Sequence, residues 1–155
     1  MKIGDIMRKV VQVSHNDTLE QAVEQMTLQD VNSVLVVDDA GWLIGSVDVV
    51  TLMNTIIPEY IGKRDMSVAT FATESMFEEF IKDNKEKKVK YFMLETPKTL
   101  KATSNIMEAA IKTTEGRQSR IPVLDEDNKP VWVVTRQWVK KFLATKMGFD
   151  TSKCY

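Results

Sequence analysis

Few side chains in this chain of 155 residues could catalyse a reaction or hold a metal ion. The only histidine, His15, would need an oriented partner such as a nucleophile, and the sequence offers none. The only cysteine, Cys154, cannot form an internal disulfide or a thiolate metal cage, so it is read as a dispensable thiol of the tail. We therefore expect no enzymatic activity and no metal site. Four methionines at helical spacing indicate core packing rather than metal binding: Met26, Met53, Met76 and Met107.

Two arginines have the chemistry to bind a phosphate, because a guanidinium group donates to phosphate oxygens in a fork. Arg120 stands just before Ile121-Pro122, and Arg136 follows Thr135. A surface arginine is otherwise only a solvated charge, so these side chains alone leave both interpretations open.

Charge and hydropathy exclude several kinds of partner. The formal net charge of −1 argues against a nucleic acid held by bulk electrostatics, so any phosphate site must be local. The longest apolar runs, such as 34–37, are far too short to span a bilayer, and the start of the sequence lacks the apolar segment of a signal peptide. The sequence thus predicts a cytoplasmic protein with no membrane insertion.

An internal repeat organises the elements that must position these side chains. Residues 33–38 (SVLVVD) align with residues 120–125 (RIPVLD) at an offset of about 87 residues. The same register aligns Ala22 with Ala109 and Val47 with Val134. The repeat therefore indicates a tandem duplication of one unit.

Each copy predicts the element order β-α-β-β-α. In copy one, Asp17-Thr18-Leu19-Glu20 is typical of a capping box at the start of a helix. The remaining elements of copy one are a strand at 10–13, paired strands at 34–37 and 42–47, and a helix at 48–57. The elements of copy two are strands at 99–100, 121–124 and 131–134, and helices at 106–113 and 137–147, the last ended by Gly148.

The segment between the copies is too long to be an ordinary loop and predicts a helix of its own. Its apolar stripe, Met76, Phe77, Phe80 and Ile81, is expected to pack against the protein itself rather than to form a groove for another protein. Its lysine run is expected to be a solvated helix end rather than a partner-binding patch. The predicted divisions are 1–58 and 91–148 for the two copies, 59–90 for a helical connector and 149–155 for a tail.

Several segments, in a common register, resemble the cystathionine-β-synthase (CBS) domain. In copy one these are Ile6-Met7, residues 13–22 and residues 36–45; in copy two they are Phe92-Met93 and residues 120–125. The resemblance implies an α+β fold of two β-α-β-β-α units packed through their sheets with pseudo-two-fold symmetry. It also implies two related clefts for adenosine derivatives, and a homodimer formed through helices. Members of the family relay ligand occupancy to another protein and perform no chemistry on the ligand.

The resemblance also implies where a ligand would bind, through a Gly-x-x-Thr/Ser-x-x-Asp stretch whose hydroxyl meets phosphate or ribose and whose carboxylate accepts the ribose hydroxyls. Copy one reads Gly45-Ser46-Val47-Asp48-Val49-Val50-Thr51, with the acidic and hydroxyl residues exchanged. Asp48 would repel a phosphate there, so we favour a role as helix N-cap. Ser46, Asp48 and Thr51 remain the candidate ligand residues of this copy.

Copy two reads Trp132-Val133-Val134-Thr135-Arg136-Gln137-Trp138, which keeps the threonine and replaces the ribose-binding aspartate with Trp138. Trp138 could stack on a base or fill the cleft as a core aromatic. The resemblance places Arg120 and Arg136 near a bound phosphate and Thr99 at a contact position. The candidate ligand residues of this copy are Thr99, Arg120, Ile121, Pro122, Val133, Thr135, Arg136 and Trp138.

The sequence therefore predicts a non-catalytic regulatory module that senses an adenosine-containing ligand and relays it to an unknown effector protein. AMP, ADP, ATP, S-adenosylmethionine or a dinucleotide would fit, and no cofactor is required. The alternative is a ligand-free scaffold that serves only dimerisation and protein interaction.

Overall fold

The computed structural model describes residues 8–61, 71–95, 97–116, 118 and 120–152. Ile6, Met7 and Cys154 lie outside the described residues. The described strands are β1 Arg8–Lys9, β2 Gln12–Ser14, β3 Ser33–Val37, β4 Leu43–Asp48, β5 Leu94–Glu95, β6 Leu100–Lys101, β7 Arg120–Leu124 and β8 Pro130–Thr135. The described helices are α1 Leu19–Leu28, α2 Val49–Ile56, α3 Glu74–Asn84, α4 Ile106–Thr114 and α5 Arg136–Lys146, with a 3₁₀ helix at Val89–Tyr91.

The chain folds into two compact units, each with a mixed four-stranded sheet. The first unit is Val11–Thr96, with strand order β2-β3-β4-β5; the second unit joins the residues up to Val10 to those from Pro97 onward, with strand order β1-β8-β7-β6. In each sheet one pair is parallel and two pairs are antiparallel. The predicted α+β fold with two β-α-β-β-α units is confirmed.

Each unit takes its outer strand from beyond its own repeat. β1 pairs with β8 of the second unit, and β5 pairs with β4 of the first unit. The contacts therefore divide the chain near residues 10 and 96, whereas the predicted divisions at 58 and 90 follow the repeat. Those divisions stay a prediction.

The core of each unit lies between its sheet and its helices. In the first unit the buried cluster joins β2, β3 and β4 to α1, α2 and the 3₁₀ helix: Val13, Leu19, Ala22, Met26, Val34, Val36, Val47, Leu52, Ile56 and Val89. In the second unit the cluster is Leu100, Ala109, Ile121, Val123, Val134 and Trp138. The apolar residues that set the helical and strand periods in the sequence thus face these cores.

The predicted capping box of α1 is displaced by one residue. Thr18 is the N-cap: its hydroxyl accepts from the Gln21 amide at 3.2 Å, and the Gln21 side chain accepts from the Thr18 amide at 2.8 Å. The Asp17 carboxylate, predicted to be the cap, accepts instead from the Ser14 amide at 2.9 Å. Asp17 is therefore used to hold the loop before the helix, and the predicted Asp17/Glu20 pairing is wrong.

The predicted connector helix is confirmed as α3, and its neighbourhood belongs to the first unit. Phe80 packs against the first core, while Met76, Phe77 and Ile81 remain more than a third exposed. After α3, the carbonyls of Lys87 and Lys85 accept from the amides of Leu19 and Glu20 at 2.9 and 3.0 Å. These carbonyls satisfy the first free amides of α1, so this lysine-rich segment also completes a helix cap.

The end of α5 has the predicted glycine stop. Gly148 has a φ of 87°, the left-handed region that a side chain disfavours. Its amide donates to Thr145 O, and the Phe149 amide donates to Ala144 O. These two hydrogen bonds form a Schellman motif.

Within the described ranges, no helix has the length and apolar character needed to cross a membrane.

Candidate functional site

The second unit has one sheet face that its own helices do not cover, and several predicted ligand residues lie there. Ile121, Val123 and Val134 face the core under α4 and α5. Because strand side chains alternate, the residues between them point to the opposite face. Register pairs Arg120 with Thr135 and Pro122 with Val133, so the structure places these four on that face.

Arg120 is half-buried on this face, and its charge has no partner among the described residues. Across the described part of the chain, no residue forms an ion pair or a hydrogen bond with its guanidinium group. Burial lowers the pKa of Arg120, and the positive charge of Arg8 lowers it further. A partly desolvated cation without an acidic neighbour indicates a place where an external anion would be stabilising.

Thr135 is the N-cap of α5, but its side chain makes no capping hydrogen bond. The corresponding residue of the first unit, Asp48, caps α2 through its carboxylate. The Thr135 hydroxyl, next to Arg120 in register, is therefore not committed to its own helix. A neutral hydroxyl at a helix N-terminus suits an anionic ligand.

Arg136 is engaged in a structural contact. Its Nε donates to Thr113 O at 2.8 Å and its Nη2 donates to Gly116 O at 3.1 Å. These carbonyls lie at the end of α4, where a cation also complements the helix dipole. The predicted ligand role of Arg136 stays a prediction, and a ligand would have to use the remaining donors, both N–H groups of Nη1 and the second N–H of Nη2.

Trp138 and Ile121 belong to the core of the second unit. Trp138 is 7% exposed, and its ring centroid lies 5.3 Å from that of Phe142. Its buried indole Nε1 has no hydrogen-bond partner among the residues that the structure describes. Of the two roles that the sequence left open for Trp138, the structure shows the core aromatic. The unpartnered indole N–H still costs free energy unless it meets an acceptor.

Thr99 lies just before β6, which pairs with β7. It is half-buried, and its carbonyl accepts from Lys112 Nζ at 2.8 Å. The structure therefore places Thr99 beside the central strand that carries Arg120.

In the first unit, Asp48 is confirmed as a helix N-cap. Its Oδ1 accepts from the Thr51 amide at 2.7 Å and from the Thr51 hydroxyl at 2.8 Å. Ser46 pairs with Leu35 and Leu94, on the sheet face away from α1 and α2. The carboxylate at this position serves the start of α2, so the first unit lacks the cationic character of the second.

One further residue on this sheet face was not predicted from the sequence. Arg8 pairs with Val133 across β1 and β8, which puts its side chain on the same face as Arg120. No local motif marks Arg8, because β1 has two residues and pairs with a strand about 120 positions away. The only available signal was Ile6-Met7, whose counterpart Phe92-Met93 precedes β5 in the same way.

No group of three or more His, Cys, Asp or Glu side chains in the described part of the chain is placed to hold a metal ion.

The sequence model of the family described as CBS domain matches residues 3–57 and 89–137. These two segments cover more than half of the chain and fall on the two copies of the repeat. The chain belongs to the CBS domain family.

Solved structures of CBS pairs have the same fold. The chain matches the CBS-pair protein CBSX2 of Arabidopsis thaliana with a TM-score of 0.74 and 24% identity, over 95% of this chain and 97% of that one. CBSX2 in complex with AMP gives a TM-score of 0.67 and 23% identity over 94% and 98% of the chains. The CBS domain pair of MJ0100, in complex with 5′-methylthioadenosine and S-adenosylmethionine, gives 0.66 and 17% over 92% and 99%. A comparison of the sequence with curated proteins found no match.

Proposed function

We propose that this protein is a non-catalytic regulatory module that binds an adenosine-containing ligand and relays its presence to another protein. The observation that carries the proposal is the half-buried guanidinium of Arg120, which has no acidic or hydrogen-bonding partner among the described residues, beside the uncommitted hydroxyl of Thr135 on the sheet face away from α4 and α5. A phosphate group would supply the missing charge to Arg120 and an acceptor to Thr135. Pro122 and Val133, both buried, would form the apolar floor of this site.

The ligands of the structural neighbours support an adenosine compound. AMP is bound by CBSX2, and 5′-methylthioadenosine and S-adenosylmethionine are bound by the MJ0100 pair. ATP, ADP and a dinucleotide share the same adenosine group and remain candidates. We propose Thr99, beside β7, as a further ligand contact of the second unit. The proposed ligand contacts of the first unit are Ser46, Asp48 and Thr51. A non-catalytic role is proposed because the ligand groups present are suited to binding and not to proton transfer.

The second candidate function is a ligand-free scaffold. It is favoured by Trp138, whose ring fills the core at the position where the family has a ribose-binding carboxylate, and by Asp48, whose carboxylate caps α2. Both changes remove a contact to ribose. A scaffold would need only the surfaces for dimerisation and for an effector protein.

Thermal melting distinguishes the two functions. A ligand that binds only the folded state at a hundred times its Kd adds about 2.7 kcal/mol, which raises Tm by roughly 5 to 10 °C for a protein of this size. We expect such a rise with AMP, ATP, S-adenosylmethionine or a dinucleotide. Mass spectrometry of the purified protein would identify any ligand carried through purification. No rise with any of them would leave the scaffold as the function.

A further inference from the structure

We propose that Arg8 and Arg120 form one anion site per chain, specific for the dianion of a phosphate monoester. The inference rests on the proposed function and deepens it, because it selects the phosphorylated adenosine compounds among the ligand classes that remain open. It also adds Arg8, which neither the family motif nor the sequence analysis singles out.

The register of the sheet brings the two arginines together. Arg8 of β1 is opposite Val133 of β8, which is opposite Pro122 of β7; Arg120 is two positions from Pro122 and on the same face. With strands about 4.8 Å apart and a rise of about 3.4 Å per residue, the two Cα atoms are roughly 12 Å apart. Two long side chains that converge from that separation would hold a phosphate between their guanidinium groups.

The charges around the pair are unbalanced. The guanidinium of Arg8, like that of Arg120, has no acidic partner in the described ranges. Burial lowers the pKa of Arg120, and the positive charge of Arg8 lowers it further, so the two cations repel each other. Since a base with a lowered pKa is destabilised in its charged form, repulsion between the two cations destabilises the unliganded protein at neutral pH. An anion between the two guanidinium groups would offset this repulsion, and a dianion would offset more of it than a monoanion.

The first unit shows why only one such site is expected. Leu94 occupies the place of Arg8, since it pairs with Ser46 as Arg8 pairs with Val133. Ser33 occupies the place of Arg120, since it pairs with Asp48 as Arg120 pairs with Thr135. This face thus has neither arginine and carries the carboxylate of Asp48, which would repel a phosphate. We therefore expect one phosphate-dependent binding event per chain.

The test compares Arg8→Gln with a matched control on the same strand. Lys9 is adjacent, exposed and equally charged, but it pairs with Trp132 and points to the opposite face of the sheet. Lys9→Gln therefore changes the net charge equally and leaves the proposed site intact. Calorimetry at low salt would measure AMP and adenosine binding to the wild-type protein, Arg8→Gln, Lys9→Gln and Arg120→Gln.

We expect Arg8→Gln and Arg120→Gln each to weaken AMP binding by about tenfold or more, because each removes a charge-assisted contact. Adenosine binding should change by less than about twofold, and Lys9→Gln should leave both ligands unchanged. The stability of unliganded Arg8→Gln should equal or exceed that of the wild type, because the repulsion is gone. Equal effects of Arg8→Gln and Lys9→Gln on AMP would overturn the inference.

Inorganic phosphate, measured above neutral pH where the dianion predominates, separates this inference from the proposed function. If phosphate raises the Tm of the wild type but not of Arg8→Gln, and no adenosine compound binds more tightly, the anion site stands and the adenosine ligand is wrong. If AMP binds and Arg8→Gln does not weaken it, the adenosine ligand stands and the arginine pair is wrong. If neither compound raises Tm, both are wrong.

Discussion

The contact of Arg136 with the end of α4 predicts that this residue contributes mainly to stability. Arg136→Ala removes two hydrogen bonds from a charged donor, to Thr113 O and Gly116 O. Thr113 is fully buried, so replacement leaves its carbonyl without this donor. Hydrogen bonds to charged groups contribute about 1.5 to 3 kcal/mol, and a cation at a helix C-terminus about 0.3 to 1 kcal/mol.

The side chain of Arg136 is exposed, so solvent screening reduces the charge term. We therefore expect a loss of about 2 kcal/mol in the free energy of unfolding, or roughly 4 to 8 °C in Tm. Urea denaturation would measure the loss. Arg136→Lys keeps the charge but cannot donate in a fork, so it should retain about half of the stabilisation.

Lys141→Ala is the control for this experiment, because it removes an exposed cation from the same helix and should cost less than about 0.5 kcal/mol. A loss no larger than that of Lys141→Ala would refute the stabilising role of the two hydrogen bonds. AMP binding would be measured on the same variants. A tenfold weakening by Arg136→Ala would instead support the ligand role predicted from the sequence.

Three other predictions follow from contacts in the two units. In Gly45→Ala, the new Cβ would lie 2.5 Å from Met93 Sδ and 2.8 Å from a backbone carbonyl, so we expect β5 to be displaced. The free energy of unfolding in urea should fall by about 1 to 3 kcal/mol, and an unchanged midpoint would contradict this. Thr18→Ala should cost about 1 kcal/mol by removing the capping box, whereas Thr18→Ser should cost little in the same assay. Leu143 and Met147 are 48% and 68% exposed, so Leu143→Asp should dissociate the predicted homodimer in light scattering; a monomeric wild type would refute the dimer.

Much of the fold could be predicted from the sequence because each helix or strand pattern occurs twice, in two aligned copies of the repeat. The helices α2, α4 and α5 and the paired strands β3, β4, β7 and β8 were predicted within one or two residues of their observed bounds. The outer strands β1 and β5 could not be placed, because two residues carry no periodicity and their partners lie far along the chain. Only the pairing in the folded structure shows that β1 joins the sheet of the second repeat and β5 the sheet of the first.

The candidate site was predicted in part, and its limits have a physical cause. Arg120 and Thr135 were identified because they occupy motif positions, and the structure places them side by side on one sheet face. The contact of Arg136 with α4 was missed because an arginine at a helix start gives no indication of which carbonyls it will reach. The core position of Trp138 was left open because a tryptophan can stack on a ligand or fill a core with equal chemical justification.

The two units share one fold but differ at the residue that begins the last helix of each. Val49 begins α2 as Arg136 begins α5, and in the first unit it lines an open groove of about 290 Å³ between α1 and α2. In the second unit the longer Arg136 side chain reaches the corresponding helix end and ties α4 to α5. The same unit holds Arg8 and Arg120, which have no acidic partner among the described residues. The hydrogen bonds of Arg136 offset part of the repulsion between those two cations, and an anion that relieves this repulsion would stabilise the second unit further.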